Sequence, residues 1–306
     1  MSKLKFAYYL AGGCAGCDTS LLDTGEKLLE FLDNVEITFF APTIADFKYE
    51  DPEKLPPKSI DFGFVTGNIR NEEHEKIAKV MREKCKVLIA FGICASCGGV
   101  KGLSALFKDE EILQKVYGKE WKSLLSGEVP KLKRARALDD VVEVDYYVGG
   151  CPPSREHIEK IFKTIIDGSL PPKGSWLTMG KAVCDVCPRN PILKGKKKKQ
   201  ITQVKRFLDV PKEDECLLEQ GYLCLGAVTQ GDCGARCTKA NVPCRGCGGP
   251  IPGVRDFGTK AISAIATSFE DISFLKKIPS SVHLFYRYSL VKSLPMILKE
   301  KLGERK

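Results

Sequence analysis

Fourteen cysteines, set in short pairs and glycine-rich turns, are the residues of this chain best placed to do chemistry. Thiolates bind soft metals, and they act as nucleophiles only where a neighbouring base or charge activates them. The three histidines, His74, His157 and His283, are isolated and read as structural. The N-terminus shows no twin-arginine or secretory pattern. It reads as a short strand running almost straight into the first cysteine pair, which leaves no room for a removable signal. A cytoplasmic location is expected. So many thiols in a reducing compartment point to metal binding rather than to a disulfide framework.

The cysteines divide into two groups. Cys14 and Cys17 stand in Gly-Gly-Cys-Ala-Gly-Cys, Cys94 in Phe-Gly-Ile-Cys-Ala-Ser-Cys-Gly-Gly, and Cys151 in Val-Gly-Gly-Cys-Pro-Pro-Ser. Four thiolates gathered at one point would suit a cubane iron–sulfur cluster or a tetrahedral zinc. The second group runs Cys184-x2-Cys187, Cys216-x7-Cys224, Cys233-x3-Cys237 and Cys244-x2-Cys247. Eight thiols divide evenly into two four-cysteine sites. Chain order suggests that the first four serve one and the last four the other, although spacing alone leaves interleaving open. Structural zinc is the rival. The usual ribbon spacing of about 15 to 20 residues between Cys-x2-Cys pairs is absent, which favours iron–sulfur.

The elements that must position these thiols alternate between strand and helix patterns over the first 170 residues. Strands are expected at residues 4–10, 35–40, 61–65, 87–91 and 141–148. Leu21, Leu22, Leu28, Leu29 and Leu32 recur at helical spacing, and further helices are expected at residues 72–84 and 154–167. This alternation implies an α/β fold with a doubly wound parallel sheet. In such a sheet, ligand sites form outside the carboxyl ends of the strands. Cys14, Cys17, Cys94 and Cys151 each follow a strand, so they are expected on one rim. Cys85 precedes its strand, which places it at the opposite edge as a buried structural thiol. Cys97 competes with Cys94, which comes first off the strand and is preferred.

Leu170-Pro171-Pro172-Lys173-Gly174 reads as a boundary, giving a domain at residues 1–170 and another at 171–306. Residues 171–250 show little periodicity and need something besides an apolar core to hold them; metal clusters would serve. The C-terminal pattern suggests a helix near residues 290–302, with Leu290, Val291, Leu294, Ile297 and Leu298 as a packing stripe rather than a membrane-binding one. An apolar content of 43% fits a globular protein, and no run approaches the roughly 20 apolar residues of a membrane span. The net charge of +9 is spread along the chain, so nucleic acid is not an expected partner. Lys196–Lys199 form the one dense basic run. It reads as a solvated loop, with an electrostatic landing patch for an acidic redox partner as the minority reading.

At these residues the chain resembles the small subunit of [NiFe]-hydrogenases over nearly its full length. Cys-Ala-Gly-Cys with Asp18 and Ser20, Gly-Ile-Cys-Ala-Ser, and Gly-Gly-Cys-Pro-Pro are similar to that family's three proximal-cluster segments. Cys216-Leu-Leu-Glu-Gln-Gly-Tyr-Leu-Cys224-Leu-Gly-Ala-Val-Thr, followed by Cys233, looks like its stretch joining distal and medial sites. Pro243-Cys244-Arg-Gly-Cys247 closes the medial one. The resemblance implies a flavodoxin-like sheet followed by an irregular iron–sulfur cluster-binding domain. It also implies a proximal cluster on Cys14, Cys17, Cys94 and Cys151, a medial cluster on Cys233, Cys237, Cys244 and Cys247, and a distal cluster on Cys184, Cys187, Cys216 and Cys224.

Two positions depart from the periplasmic enzymes of the family. Those place a histidine where this chain has Cys184, and many have a proline near Cys237, which leaves a three-iron medial cluster. Three [4Fe-4S] clusters are therefore expected here. Likeness is nearest to the small (gamma-type) subunit of the methanogens' methyl-viologen-reducing hydrogenase, with the deazaflavin-coenzyme-reducing enzyme as runner-up. By resemblance, the partners are a large subunit bearing the nickel–iron centre and an iron–sulfur acceptor subunit linked to heterodisulfide reductase. The related quinone-reductase subunit of respiratory complexes has adjacent cysteines in its first segment and lacks the eight-cysteine domain, so it fits less well. A zinc-stabilised binding module is the rival from another class.

Overall fold

Along β1 (Leu4–Leu10), Phe6 and Tyr8 pack on one side and Ala7 and Tyr9 on the other, all four buried. A strand buried on both faces belongs inside a parallel sheet covered by helices, and that is what the computed structural model shows. It describes residues 3–124, 130–205, 210–271, 273, 276, 278 and 280–303. The chain divides into two units, Met1–Leu177 and Thr178–Lys306.

The strands of the first unit are β1, β2 (Val35–Ala41), β3 (Ile60–Thr66), β4 (Ile69–Asn71), β5 (Cys85–Ala90), β6 (Leu132–Arg136), β7 (Tyr146–Tyr147) and β8 (Ser175–Trp176). Six form a sheet in the order β2-β1-β3-β5-β7-β8, with every pairing parallel. The chain reverses direction of travel across the sheet at β1 and β3, where a doubly wound fold opens its ligand crevice. Outside this sheet, β4 and β6 pair antiparallel, an element the periodicity did not announce.

Helices cover both faces: α1 (Gly16–Leu22), α2 (Glu26–Asn34), α3 (Glu72–Lys84), α4 (Ile93–Cys97), α5 (Asp109–Tyr117), α6 (Trp121–Leu124) and α7 (Arg155–Ile166). On one face α2 meets α7 through Phe31 and Phe162, stacked at 4.0 Å between ring centroids. On the other, α3 buries Ile77, Ala78 and Met81 against Ala7, Val65 and Leu88. Asn71 caps α3 by accepting from the His74 amide at 2.8 Å, and Ser154 caps α7 by accepting from the His157 amide at 3.3 Å.

The strand expected at residues 141–148 is cut to Tyr146–Tyr147. Leu138–Asp140 close a 3-10 turn, and the Asp145 carboxylate itself takes the Leu88 amide at 2.8 Å while also ion-pairing with Arg82 and Lys173. A side chain thus occupies a ladder position. Beyond the expected boundary, β8 still joins the sheet, because the Leu177 amide donates to the Tyr147 carbonyl at 2.8 Å.

The second unit has little regular structure before its last third: α8 (Val183–Val186) and α9 (Arg236–Lys239), then α10 (Phe257–Ala266), α11 (Ser281–Phe285) and α12 (Leu294–Gly303). Its apolar core gathers Ile201, Leu225, Phe257, Ile265 and Phe285. A second cluster contains thiols as packing elements, with Cys187, Cys224 and Cys244 beside Val183 and Ala235. The single helix expected at 290–302 is interrupted. Leu290–Lys292 form a 3-10 turn, Ser293 is extended, and α12 starts afresh before Pro295, with the Leu294 amide capped by Asp256 at 2.8 Å. The stripe splits with it: Leu290 and Val291 are buried, whereas Leu294 and Leu298 are exposed. No described helix is long and apolar enough to cross a membrane.

Candidate metal centres

The first four thiols leave the sheet at one rim. β1 runs into Cys14 and Cys17, β5 into Cys94, and β7 into Cys151. Ala15 adopts a left-handed conformation (φ 60°) that turns the chain between the first two and starts α1. Cys17 lies within electrostatic reach of Cys94 and Cys151, Cys94 of Cys151 and Cys14, and Cys151 of Cys14. Burial pushes Cys17 up to about 12, opposed by a hydrogen bond with the Thr66 hydroxyl and reinforced by the facing thiols. Cys94 is likewise pushed up to about 12 by burial and then by its neighbours, and Cys151 is raised by burial and by Cys14. Thiols held this way keep their protons unless positive charge sits among them, and iron would supply it.

The backbone makes room at the sulfurs. A Cβ on Gly92 (φ 86°) would stand 2.7 Å from Cys17 Sγ, and one on Gly99 (φ 61°) would collide with Cys94 Sγ. Both the space and the backbone conformation demand glycine there. The cysteine loops are also tied together. Ser20 Oγ donates to the Pro153 carbonyl at 2.6 Å, and the Ile93 amide donates to the Gly150 carbonyl at 2.9 Å. Asp18 is buried, accepting from the Tyr8 hydroxyl and from Thr43 Oγ1 at 2.8 Å. Burial, and then Asp18, raises Tyr8 well above the usual phenol range.

Cys85 begins β5 at the far end, fully buried, with Arg82, Lys58 and Asp145 as its charged neighbours and burial pushing it up to about 12. Cys97 closes α4 and is also buried.

In the second unit, Cys184, Cys187, Cys216 and Cys224 line one cavity of about 440 Å³, and no other cysteine does. Cys184 lies within electrostatic reach of the other three. A Cβ on Gly226 would stand 3.3 Å from its sulfur. Cys244 lies within reach of Cys247 and Cys233, and Cys237 within reach of Cys233. Burial pushes Cys184, Cys224 and Cys244 up to about 12. Cys187 Sγ donates to Thr238 Oγ1 at 3.1 Å. Among the described residues, no three His, Cys, Asp or Glu side chains close on a single point as they would around one ion. The thiols of each set are spaced to feel one another's charge instead.

Sequence reasoning did not single out the hydroxyls beside the sulfurs: Thr66 at Cys17, Thr229 at Cys244 and Thr238 at Cys187. Their signal was faint but present. Thr66 ends β3 at the rim where the thiols lie, and Thr238 directly follows Cys237.

Residues 14–165 match the family model described as NADH ubiquinone oxidoreductase, 20 Kd subunit. That match ends before the eight-cysteine segment. A full-length likeness comes from the iron-sulfur subunit of an F420-non-reducing hydrogenase of Archaeoglobus profundus, 50% identical over 94% of this chain and 96% of that one. The chain belongs to this family of hydrogenase subunits. A further member, from the vhu F420-non-reducing hydrogenase of Methanocaldococcus jannaschii, is 39% identical over 92% of this chain and 93% of its own length. A chain of the Dm. baculatum [NiFeSe]-hydrogenase has the same fold, with a TM-score of 0.53 at 19% identity over 83% of this chain and 96% of that one. The expected doubly wound sheet and the hydrogenase small-subunit resemblance are thus borne out. Both of these archaeal relatives are of the F420-non-reducing type, not the deazaflavin-reducing runner-up.

Proposed function

We propose that this chain carries electrons for a cytoplasmic [NiFe]-hydrogenase and holds three [4Fe-4S] clusters through twelve of its fourteen cysteines. Cys14, Cys17, Cys94 and Cys151 would hold the proximal cluster. Cys233, Cys237, Cys244 and Cys247 would hold the medial one, and Cys184, Cys187, Cys216 and Cys224 the distal one. The cavity lined by those last four thiols and no other cysteine is the observation that carries the reading. When bound, the clusters supply one-electron redox chemistry between hydrogen oxidation at a nickel–iron centre on a large subunit and an acceptor subunit linked to heterodisulfide reductase. The chain's own residues hold the sulfurs in place, bury Cys187, Cys224 and Cys244, and set hydroxyls beside Cys17, Cys187 and Cys244, whereas Cys14, Cys151 and Cys237 are exposed.

Metal analysis separates this from a zinc-stabilised module. About twelve irons per chain with a brown colour are expected, and a colourless protein holding only zinc ends the proposal. Cys151→Ser removes one cluster's signal and leaves two; unchanged iron content refutes that ligand set. Copurification with the native large subunit tests the partner directly.

A further inference from the structure

One side of the cavity lined by Cys184, Cys187, Cys216 and Cys224 is basic. Between residues 181 and 205 there are eight basic side chains (Lys181, Arg189, Lys194, Lys196, Lys197, Lys198, Lys199 and Lys205) against one carboxylate, Asp185. The adjoining loop carries Glu213, Asp214, Glu215 and Glu219, the last accepting from the Lys199 amide at 2.8 Å. Residues 192–200 are exposed throughout, and this stretch includes the apolar side chains Ile192 and Leu193, 58% and 56% exposed. Lys198 and Lys199 line the same cavity as Cys184, Cys187, Cys216 and Cys224. Lys198, Ile192 and Leu193 also line a second hollow against Cys184 and Asp185. Among the described residues, Lys196, Lys197, Lys198 and Lys199 ion-pair with no carboxylate, and the Lys194 amine is turned to the Asp214 carbonyl at 2.8 Å.

A run of lysines without partners repels itself and adds nothing to folding that shorter polar residues would not add. Set around a small exposed apolar pair, it has the make-up of an interface that steers an oppositely charged protein and then seats it. We propose that residues 192–199 are the docking surface for an acidic electron-transfer protein, which receives electrons at the thiol set of Cys184, Cys187, Cys216 and Cys224. This rests on the function proposed above and names the place and charge of its exit. Electron transfer falls steeply with distance, so a partner gains most by seating where Lys198 and Lys199 already form the cavity wall.

The test uses the holo complex with its large subunit, under hydrogen, with two acceptors: an acidic two-[4Fe-4S] ferredoxin and the small cationic dye methyl viologen. Replacing Lys196 and Lys197, which line neither cavity, together by Gln is expected to slow ferredoxin reduction by about threefold or more at low salt. Dye reduction stays unchanged, and the double Lys→Arg variant keeps the wild-type ferredoxin rate. Ferredoxin reduction unaffected by the Gln variant overturns the proposal. So does a wild-type ferredoxin rate that is flat as ionic strength rises, since steering by exposed charge is screened by salt. That wild-type measurement decides alone if the Gln variant loses its clusters. Retention of anionic vesicles or duplex DNA by the lysines, with ferredoxin reduction untouched, also overturns it. Failure to reduce even the dye refutes the hydrogenase reading instead.

Discussion

The backbone amide of Cys244 donates a 3.2 Å hydrogen bond to the sulfur of Cys224. The two sulfurs also feel each other's charge. On the cluster assignment proposed above, this bond joins the last cysteine of the distal quartet to a member of the medial one. Two clusters linked in this way would not reduce independently, because amide donors to sulfur shift cluster potentials.

Cys224→Ser is therefore expected to do more than remove one cluster. It should abolish the signal of its own quartet and displace the midpoint potential of a second cluster, whose Cys244 amide loses its sulfur acceptor. Redox titration followed by electron paramagnetic resonance reads both. Two remaining signals at wild-type potentials would show that the amide link carries no influence.

Gly99→Ala places a methyl on Cys94 Sγ and forces a positive φ on alanine. Loss of about four of the twelve irons is expected, with the second unit unaffected. Gly195→Ala is the control: its φ is also positive (68°), but no atom lies within 4 Å of the added methyl. It should cost about 1–2 kcal/mol of local strain and no iron. Equal iron content in both variants would sink the steric account.

Phe31→Ala removes a ring stacked on Phe162 and 2% exposed. A loss of about 3–5 kcal/mol is expected for the first unit in chemical denaturation. A loss under about 1 kcal/mol would mean that α2 and α7 are held by other contacts.

His74 gives the pH dependence. Burial, with the nearby Lys101 charge second, lowers its pKa from 6.5 to about 4. The unfolded chain therefore takes up this proton first as pH falls. His74 stabilises the fold fully above about pH 6.5 and progressively less down to about pH 4. His74→Gln should flatten stability across that window, and an unchanged slope in urea denaturation would exclude His74 as its source.

The parallel strands were legible because residues buried on both faces form short apolar runs, as in residues 60–66 and 85–90. The helix expected at 72–84 is found at Glu72–Lys84, where Asn71 caps it and Ile77, Ala78 and Met81 are buried. The strand at 141–148 was misjudged in length because Asp145 reaches Leu88 with its side chain, a contact no periodicity encodes. The helix expected at 290–302 rests on an apolar stripe that runs across the break before α12, whereas Pro295 sits in the first turn of the new helix.

For the thiols, sequence alone determined the number, the pairing motifs and the order along the chain, and the position of Cys85 ahead of its strand put it at the far edge. Only the tertiary structure decided which thiols feel one another. Cys14 and Cys151 lie 137 residues apart and meet because parallel strands end on one rim. Cys184 and Cys224 share a cavity because the loops between them fold back, and loop closure leaves no periodic trace in a sequence.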